Sequence, residues 1–297
     1  MPGILLFGQG GQLGAELSRS LSAIGDVLAP ARASDAPAGD LSDPAGVAAT
    51  VRALRPDIVI NAAAWTDVDA AERHPSAVYR VNAEAPAALA EAAHDVGAWL
   101  VHYSSDYVFD GSGDRPWTEG DTPRPLNVYG QSKLLGDLAV SRNCPRHLIF
   151  RSSWLYGANG ENFVTRILRN FRDSGTLTVV DDQIGAPTAT RWLADLTANA
   201  LCKAQRDAGV AGLYHAVASG ATSRYDYARF IVAEAVRLGL LPETSAQRVV
   251  AAASVARAGL ALRPLNSRLD TTRLLQVFGH PQPPWQEGIT DMLEHLS

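Results

Sequence analysis

Through its first half the chain alternates short, continuous apolar runs with stretches whose apolar residues recur at helical spacing. Ile4-Leu5-Leu6-Phe7, Asp57-Ile58-Val59-Ile60-Asn61, Trp99-Leu100-Val101-His102-Tyr103 and His147-Leu148-Ile149-Phe150 have the length and uninterrupted hydrophobicity of strands buried on both faces. Val27-Leu28-Ala29 reads as a shorter strand before a loop of small residues. Between the runs, Leu13, Leu17, Leu21 and Ile24, then Val47, Val51 and Leu54, mark helix faces. Ser42-Asp43-Pro44 offers a capping side chain before a first-turn proline. Ala83 to Val96 and Val128 to Val140 continue the alternation as helices, and Asp110 to Asn127, rich in Gly, Pro and Asp, reads as a loop. This order predicts right-handed βαβ units and a Rossmann-type, doubly wound parallel sheet of the α/β class. Ligands in such sheets bind at the carboxyl ends of the strands.

Beyond Arg151 the pattern loosens. Helices are expected around Asn162 to Arg172, Arg191 to Ala208, Tyr225 to Leu238 and Trp285 to Leu296, with strands at Leu177 to Val180 and Gly212 to Val217. The domain reading that follows is a dinucleotide-binding unit over 1–160 plus about 177–218. A smaller C-terminal mixed α/β substrate lobe would take about 161–176 and 219–297.

Composition narrows the partners. With 46% hydrophobic and 19% charged residues over 297 positions, the chain has ordinary soluble composition and enough length for one large core and a lobe. A net charge of -5 and the lack of a basic stripe argue against nucleic acid. No membrane span or leader is read, and two distant cysteines, Cys144 and Cys202, fit a reducing compartment, so a cytoplasmic protein is expected. The seven histidines show no metal-ligand spacing.

Gly8-Gln9-Gly10-Gly11-Gln12-Leu13-Gly14 stands between the first strand and the first helix. Gly8 permits the tight turn, Gly10 or Gly11 lets backbone approach a pyrophosphate, and Gly14 allows close helix–sheet packing. The N–H groups of the helix N-terminus then face the phosphates. A bare strand-to-helix turn is the bland alternative. An NAD site usually ends its second strand with a carboxylate for the ribose hydroxyls. Here Ala29-Pro30-Ala31-Arg32 has none, and Arg32 can meet a 2′-phosphate, which favours NADPH while leaving NADH open. Asp40 and Leu41 are candidates to frame the adenine. Ala62-Ala63-Ala64, after the third strand, lets backbone lie against the cofactor.

Tyr129-Gly130-Gln131-Ser132-Lys133 places a phenol and an ammonium at i and i+4, on one helix face. A free phenol, with a pKa of about 10, is a poor acid near neutrality, and a nearby cation lowers that value. The same lysine can hold the nicotinamide ribose. Ser104-Ser105-Asp106-Tyr107 ends a strand, where a hydroxyl can bond a carbonyl oxygen as charge develops.

A glycine loop, a Ser/Thr and a Tyr-x-x-x-Lys pair together resemble the extended short-chain dehydrogenase/reductase family. Within it, the chain is similar from end to end to the dTDP-4-dehydrorhamnose reductases. The strings that carry this are the glycine loop, Asn61-Ala62-Ala63-Ala64-Trp65-Thr66, Ser105-Asp106-Tyr107-Val108-Phe109-Asp110-Gly111 and Pro125-Leu126-Asn127-Val128-Tyr129-Gly130. Arg151-Ser152-Ser153-Trp154, Asp182-Gln183-Ile184-Gly185-Ala186-Pro187-Thr188 and Asn266-Ser267-Arg268-Leu269 add to it. The resemblance implies reduction of the C4 ketone of a nucleotide-activated sugar, dTDP-4-dehydro-L-rhamnose, as the last step toward dTDP-L-rhamnose. It implies Tyr129 as proton donor, Lys133 as its tuning partner and ribose ligand, and Ser105 where threonine is common. Ser105 and Asp106 would contact the sugar and Trp154 would pack on it. Gly11, Gln12 and Leu13 would line the phosphates, with Ala64, Trp65, Thr66 and Tyr103 near the nicotinamide half. Some members bridge subunits with Mg²⁺ on glutamates. Glu16 matches one, but Arg191 stands where a second is expected, which makes the metal doubtful and leaves monomer and homodimer both open.

Two rivals share the fold. A 4,6-dehydratase or epimerase needs an Asp-Glu pair where this chain has Asp106-Tyr107. A non-catalytic dinucleotide-binding regulatory subunit would not need the Ser105, Tyr129 and Lys133 set that stands intact here. Arg263, Arg268, Asn162 and Phe163 are weaker candidates for the nucleotide end.

Overall fold

Alternate residues of the first strand serve opposite cores. In a computed structural model, which describes all residues except 33–36, 174, 175, 257, 258 and 297, β1 (Gly3–Phe7) sends Ile4 and Leu6 into one apolar cluster and Leu5 and Phe7 into another. Part of the small-residue loop expected after the second strand, 33–36, lies outside the described residues. The chain continues through α1 (Gln12–Leu21), β2 (Asp26–Leu28), α2 (Pro44–Leu54), β3 (Ile58–Asn61), α3 (Val68–Arg73) and α4 (Pro75–Tyr79). A π-helical turn, Arg80–Glu84, leads into α5 (Ala85–Val96), followed by β4 (Trp99–Ser105), α6 (Val128–Asn143) and β5 (His147–Ser152). The capping expected at residue 43 forms: the Asp43 carboxylate accepts from Gly46 N–H at 3.0 Å, with Pro44 in the first turn.

β10 (Gly212–His215) completes a six-stranded sheet in the order β10-β5-β4-β3-β1-β2, with every pair parallel. The chain steps outward from β1 to β2 and then returns to the other side of β1 with β3. The order therefore reverses between β1 and β3, where a crevice opens at the strand ends. Leu13, Leu17 and Leu21 of α1 cover one face together with α8 (Thr190–Ala204) and α10 (Thr272–Phe278). Val47 and Val51 of α2, Leu89 of α5 and Val140 of α6 cover the other. Each of these fully buried large side chains contributes about 1.5–3 kcal/mol by leaving water.

A further apolar cluster, separate from the two on the sheet's faces, forms the lobe. It is built from α7 (Phe163–Asp173), α9 (Arg224–Arg237) and α11 (Trp285–Glu294), with Val164, Ile167, Tyr227, Ile231, Trp285 and Ile289 at its centre. Here the structure departs from the sequence reading. β7 (Leu177–Val180), assigned above to the dinucleotide unit, pairs in parallel with β12 (Val249–Ala252), and Val179 sits in the lobe's core. The partner of Leu177 is Val249, so no local pattern could reveal the pairing. Strand β12 and helix α10 were not expected. Two short pairings complete the lobe side: β6 (Leu155–Tyr156) with β9 (Thr188–Ala189), and β8 (Ile184–Gly185) with β11 (Thr222–Ser223).

The lobe is tied to the sheet domain by named contacts. Arg263 grips both carboxylate oxygens of Asp69 at 2.9 Å, and Gln12 bonds Glu161 O and Asn162 at 3.1 Å each. No helix among the described residues is long and apolar enough to cross a membrane.

Candidate active site

The glycine loop is shaped by backbone packing against backbone. Gly8 has φ +91°, and a β-carbon there would lie 2.6 Å from Ala63 N, so only glycine lets β1 and β3 end side by side. A β-carbon on Gly14 would overlap the Gly8 carbonyl, whereas one on Gly10 would meet nothing within 4 Å. Gly10 thus presents open backbone to the crevice. Gly11 caps α1, and no side chain bonds to that terminus. Its first N–H groups face outward with the positive end of the helix dipole, which suits a diphosphate.

A cleft of about 440 Å³ follows from this loop. Gly8, Gly10, Arg32, Asp40, Leu41, Ala63, Ala64 and Trp65, all expected from sequence, line it together with Gln9, Pro30, Ala31, Gly39 and Val81. Burial opposes ionisation of Asp40, but the Ser42 N–H and hydroxyl and the Arg32 guanidinium hold its carboxyl below the usual range. Arg32 touches Asp40 only at 3.4 Å, and its side chain is 83% exposed, which leaves most of its donors open toward a ligand.

Tyr129 reaches its position because α6 sits tightly on the end of β4. A β-carbon on Gly130 would overlap the carbonyl of Tyr107, and Asn127 caps the helix by accepting from Gly130 N–H at 2.8 Å. The half-buried phenol meets the Tyr107 ring edge-on at 5.6 Å. Burial raises its pKa above the ordinary value; the Ser105 hydroxyl pulls it down, while Asp106, Tyr107 and Asp137 push it further up. The sequence expectation of a lowered phenol pKa is therefore corrected: whatever a nearby cation contributes, desolvation outweighs it, and the Lys133 ammonium donates to the Tyr103 carbonyl at 2.6 Å. A raised pKa leaves the phenol loaded with its proton at neutral pH. Lys133 is 2% exposed, and burial lowers its pKa to about 8 against the opposing pull of Asp137.

Ser105 ends β4, donates to Asp106 Oδ1 at 3.1 Å and accepts from Tyr107 N–H at 3.2 Å. Burial raises Asp106 to about 6, against hydrogen bonds from Ser267 and Ser105 and the charge of Arg224. Trp154 has φ +48°, a left-handed conformation that costs a tryptophan about 1–3 kcal/mol. Its indole lies across Gly185, where a β-carbon would come within 2.7 Å of the ring. The Arg224 guanidinium covers the indole with its carbon 3.6 Å from the ring centroid, and Phe163 flanks it at 5.3 Å.

Some expected residues face elsewhere. The Tyr103 phenol turns into the core, 2.8 Å from Thr197 Oγ1, so only its carbonyl reaches the site. Leu13 is a core side chain, and the Gln12 amide is engaged by the lobe, so both can serve phosphates through backbone alone. Thr66 is exposed and is not among the cleft-lining residues. Glu16 pairs with Arg19 at 3.0 Å. Arg263 is spent on Asp69, Arg268 bonds Asp114 O and Asn266, and Asn162 caps the start of α7.

The loaded phenol and the buried ammonium lie at the carboxyl end of β4, two strands from the glycine crevice on the same edge of the parallel sheet, and comparison with known proteins agrees in family. The model of the RmlD substrate binding domain matches residues 1–297. The dTDP-4-dehydrorhamnose reductase of Escherichia coli K12 is 47% identical over 293 residues, 99% of this chain and 97% of that one. The chain belongs to the dTDP-4-dehydrorhamnose reductase family. The crystal structure of the Clostridium acetobutylicum dTDP-4-dehydrorhamnose reductase matches with a TM-score of 0.88 at 32% identity, covering 99% of both chains. The Bacillus anthracis reductase, solved in complex with NADP, matches with 0.87 at 30%, again over 99% of both.

The sequence reading of this reductase missed Arg224, Asp137 and Ser267. Arg224 and Ser267 reach the site from elements remote in sequence; no motif marks Arg224, and Ser267 lies within the Asn266-Ser267-Arg268-Leu269 string without being singled out there. Asp137 carried a signal, since it is a further helical turn along the face that bears Tyr129 and Lys133.

Proposed function

We propose that the chain reduces the C4 ketone of dTDP-4-dehydro-L-rhamnose to dTDP-L-rhamnose with NADPH, the last step in making that nucleotide sugar. The observation that carries this is the placement of Ser105, Tyr129 and Lys133 at the carboxyl end of β4, on the same edge of the parallel sheet as the glycine loop. The names of the relatives and the NADP held by the Bacillus anthracis enzyme support it.

When bound, the reduced nicotinamide supplies a hydride to the C4 carbonyl carbon. Tyr129 donates its phenolic proton to the C4 oxygen, and water later returns a proton to the phenolate. The Ser105 hydroxyl holds that oxygen as negative charge develops on it. Lys133 binds the nicotinamide ribose hydroxyls, and its charge lowers the cost of leaving tyrosinate behind. Asp106 accepts from a sugar hydroxyl, the Trp154 indole packs on the sugar ring, and Arg224 offers charge to the diphosphate.

Gly8, Gly10, Gly11 and Gly14, with the backbone of Gln12 and Leu13, shape the pyrophosphate seat at the start of α1. Asp40 and Leu41 frame the adenine, Arg32 meets the 2′-phosphate, and Ala62 to Trp65 with the Tyr103 carbonyl border the nicotinamide half.

The test mixes purified protein with NADPH and dTDP-4-dehydro-L-rhamnose, with NADH in a parallel reaction. Loss of reduced-cofactor absorbance with dTDP-L-rhamnose as product, faster with NADPH, is the expected result. A chain that oxidises neither cofactor contradicts the reading.

A further inference from the structure

Behind the Tyr129–Lys133 pair lies a buried polar cluster that the proposed chemistry does not use. Asp137 sits on α6 one turn after Lys133 and is 2% exposed. Its Oδ2 accepts from Arg151 Nε at 3.0 Å and from Ser104 Oγ at 2.9 Å. Among the described residues its Oδ1 has no hydrogen-bond partner, and it faces His102 Nε2 at 3.8 Å. The imidazole state follows from its other nitrogen. Asn61 Oδ1 accepts from Ala63 N–H at 3.3 Å, which leaves Asn61 Nδ2 to donate to His102 Nδ1 at 3.2 Å. The ring proton is then on Nε2, toward Asp137. Burial holds His102 well below its ordinary pKa, with the Lys133 charge acting in the same direction, so the imidazole is neutral.

The charges facing Lys133 can therefore be named. Tyr129 and Asp137 share its helix, neutral His102 and the Tyr103 carbonyl face it from β4, and Arg151 on β5 stands beyond Asp137. From the π-helical turn, the side chain that meets α6 is Asn82, which is uncharged and bonded to Ser132. The carboxylate that offsets the buried ammonium is Asp137.

We propose that Asp137 is a positioning residue for the reduction: its buried carboxylate keeps the Lys133 ammonium charged behind the Tyr129 phenol and so sets the upper pH limit of activity. This rests on the proposed function for its catalytic consequence, but not for its electrostatic one. Without that carboxylate, Lys133 and Arg151 would be two buried cations with no counter-charge, and Lys133 is the one able to shed its proton.

The chain has only two lysines, Lys133 and Lys203, so lysine labelled with ¹³C at Cε gives two NMR signals and a direct titration without substrate. The wild-type signal of Lys133 is expected to titrate near pH 8. In Asp137→Asn the midpoint falls by about one unit or more, and Asp137→Glu restores most of it. The alkaline limb of kcat/KM moves with the midpoint in each variant. A folded Asp137→Asn protein whose Lys133 titrates as in wild type overturns the proposal, as does a limb that stays in place while the midpoint moves. Should Asp137→Asn fail to fold, Asp137→Ser takes its place, since it removes the charge and keeps a short hydroxyl in the cluster with Arg151 and Ser104. A measurable downward shift of the Lys133 midpoint is then expected, and an unmoved midpoint overturns the proposal. Because the titration needs no sugar, a chain that fails to reduce dTDP-4-dehydro-L-rhamnose would sink the proposed function separately.

Discussion

Arg224 lies with its guanidinium carbon 3.6 Å from the centroid of the Trp154 indole, and no carboxylate pairs with it among the described residues. Burial depresses its pKa, and the nearby Tyr107, Tyr227 and Asp106 oppose that without neutralising it. A cation held by stacking rather than by an ion pair is available to an anionic ligand. Arg224→Ala should raise KM for the nucleotide sugar roughly 10- to 100-fold, as expected for one charge-assisted hydrogen bond of about 1.5–3 kcal/mol. KM for NADPH should barely move, and steady-state kinetics with each substrate varied in turn checks the split.

Gly130 tests how Tyr129 is placed. Its α-carbon has no room for a methyl group against the Tyr107 carbonyl, so Gly130→Ala must push the start of α6 off the end of β4. A displacement of about 1 Å at the phenol can cost about 10²-fold in rate. A fall in kcat of that order with little change in NADPH affinity is expected, measured by single-turnover kinetics and fluorescence titration of the cofactor.

Asp106 sets opposed demands on stability and activity. Its folded pKa of about 6 lies above the ordinary value of 3.8, so its contribution to stability is full below the unfolded pKa and is lost as pH rises through the folded one. At pH 7 the ionised, 2% exposed carboxylate costs about 3 kcal/mol relative to a group free of that burial. Asp106→Asn should therefore raise Tm at pH 7 and lose most of the advantage at pH 4. It should also abolish the acid limb of kcat/KM, which in the wild type falls near pH 6. Thermal scans at the two pH values and a pH–rate profile check both halves.

Arg32 tests the choice between cofactors. Its exposed guanidinium, only loosely held by Asp40, is a cation lining the glycine-loop cleft. Arg32→Ala should raise KM for NADPH about tenfold, the worth of roughly 1.4 kcal/mol, and leave KM for NADH nearly unchanged. Equal effects on both cofactors would remove Arg32 from 2′-phosphate recognition.

Much of the sheet was legible because a strand buried on both faces leaves a local trace. Ile4 to Phe7 and Ile58 to Ile60 are apolar without interruption, and the structure uses alternate residues of each for opposite cores. The glycine loop was legible for a similar reason, since Gly8 and Gly14 are forced by backbone contacts a few residues or one strand away. The lobe left no such trace. β7 pairs with β12 across more than seventy positions, and Val250 on β12 is exposed, which blurs any period-2 pattern. At the site, the i, i+4 spacing showed that Tyr129 and Lys133 share a helix face, yet not that the ammonium would reach the Tyr103 carbonyl or that burial would raise the phenol. Trp154 is marked in the sequence only by the family resemblance. Its left-handed backbone and the guanidinium on its face are products of tertiary packing alone.

The central claim is that the Tyr129 hydroxyl delivers the proton that accompanies hydride to C4. Tyr129→Phe removes that oxygen and leaves the ring that packs edge-on against Tyr107. Single-turnover oxidation of bound NADPH by dTDP-4-dehydro-L-rhamnose measures the step directly. A fall of about 10²- to 10⁴-fold with both ligands still bound at near wild-type affinity is the predicted result. Turnover by the phenylalanine variant at the wild-type rate would contradict it.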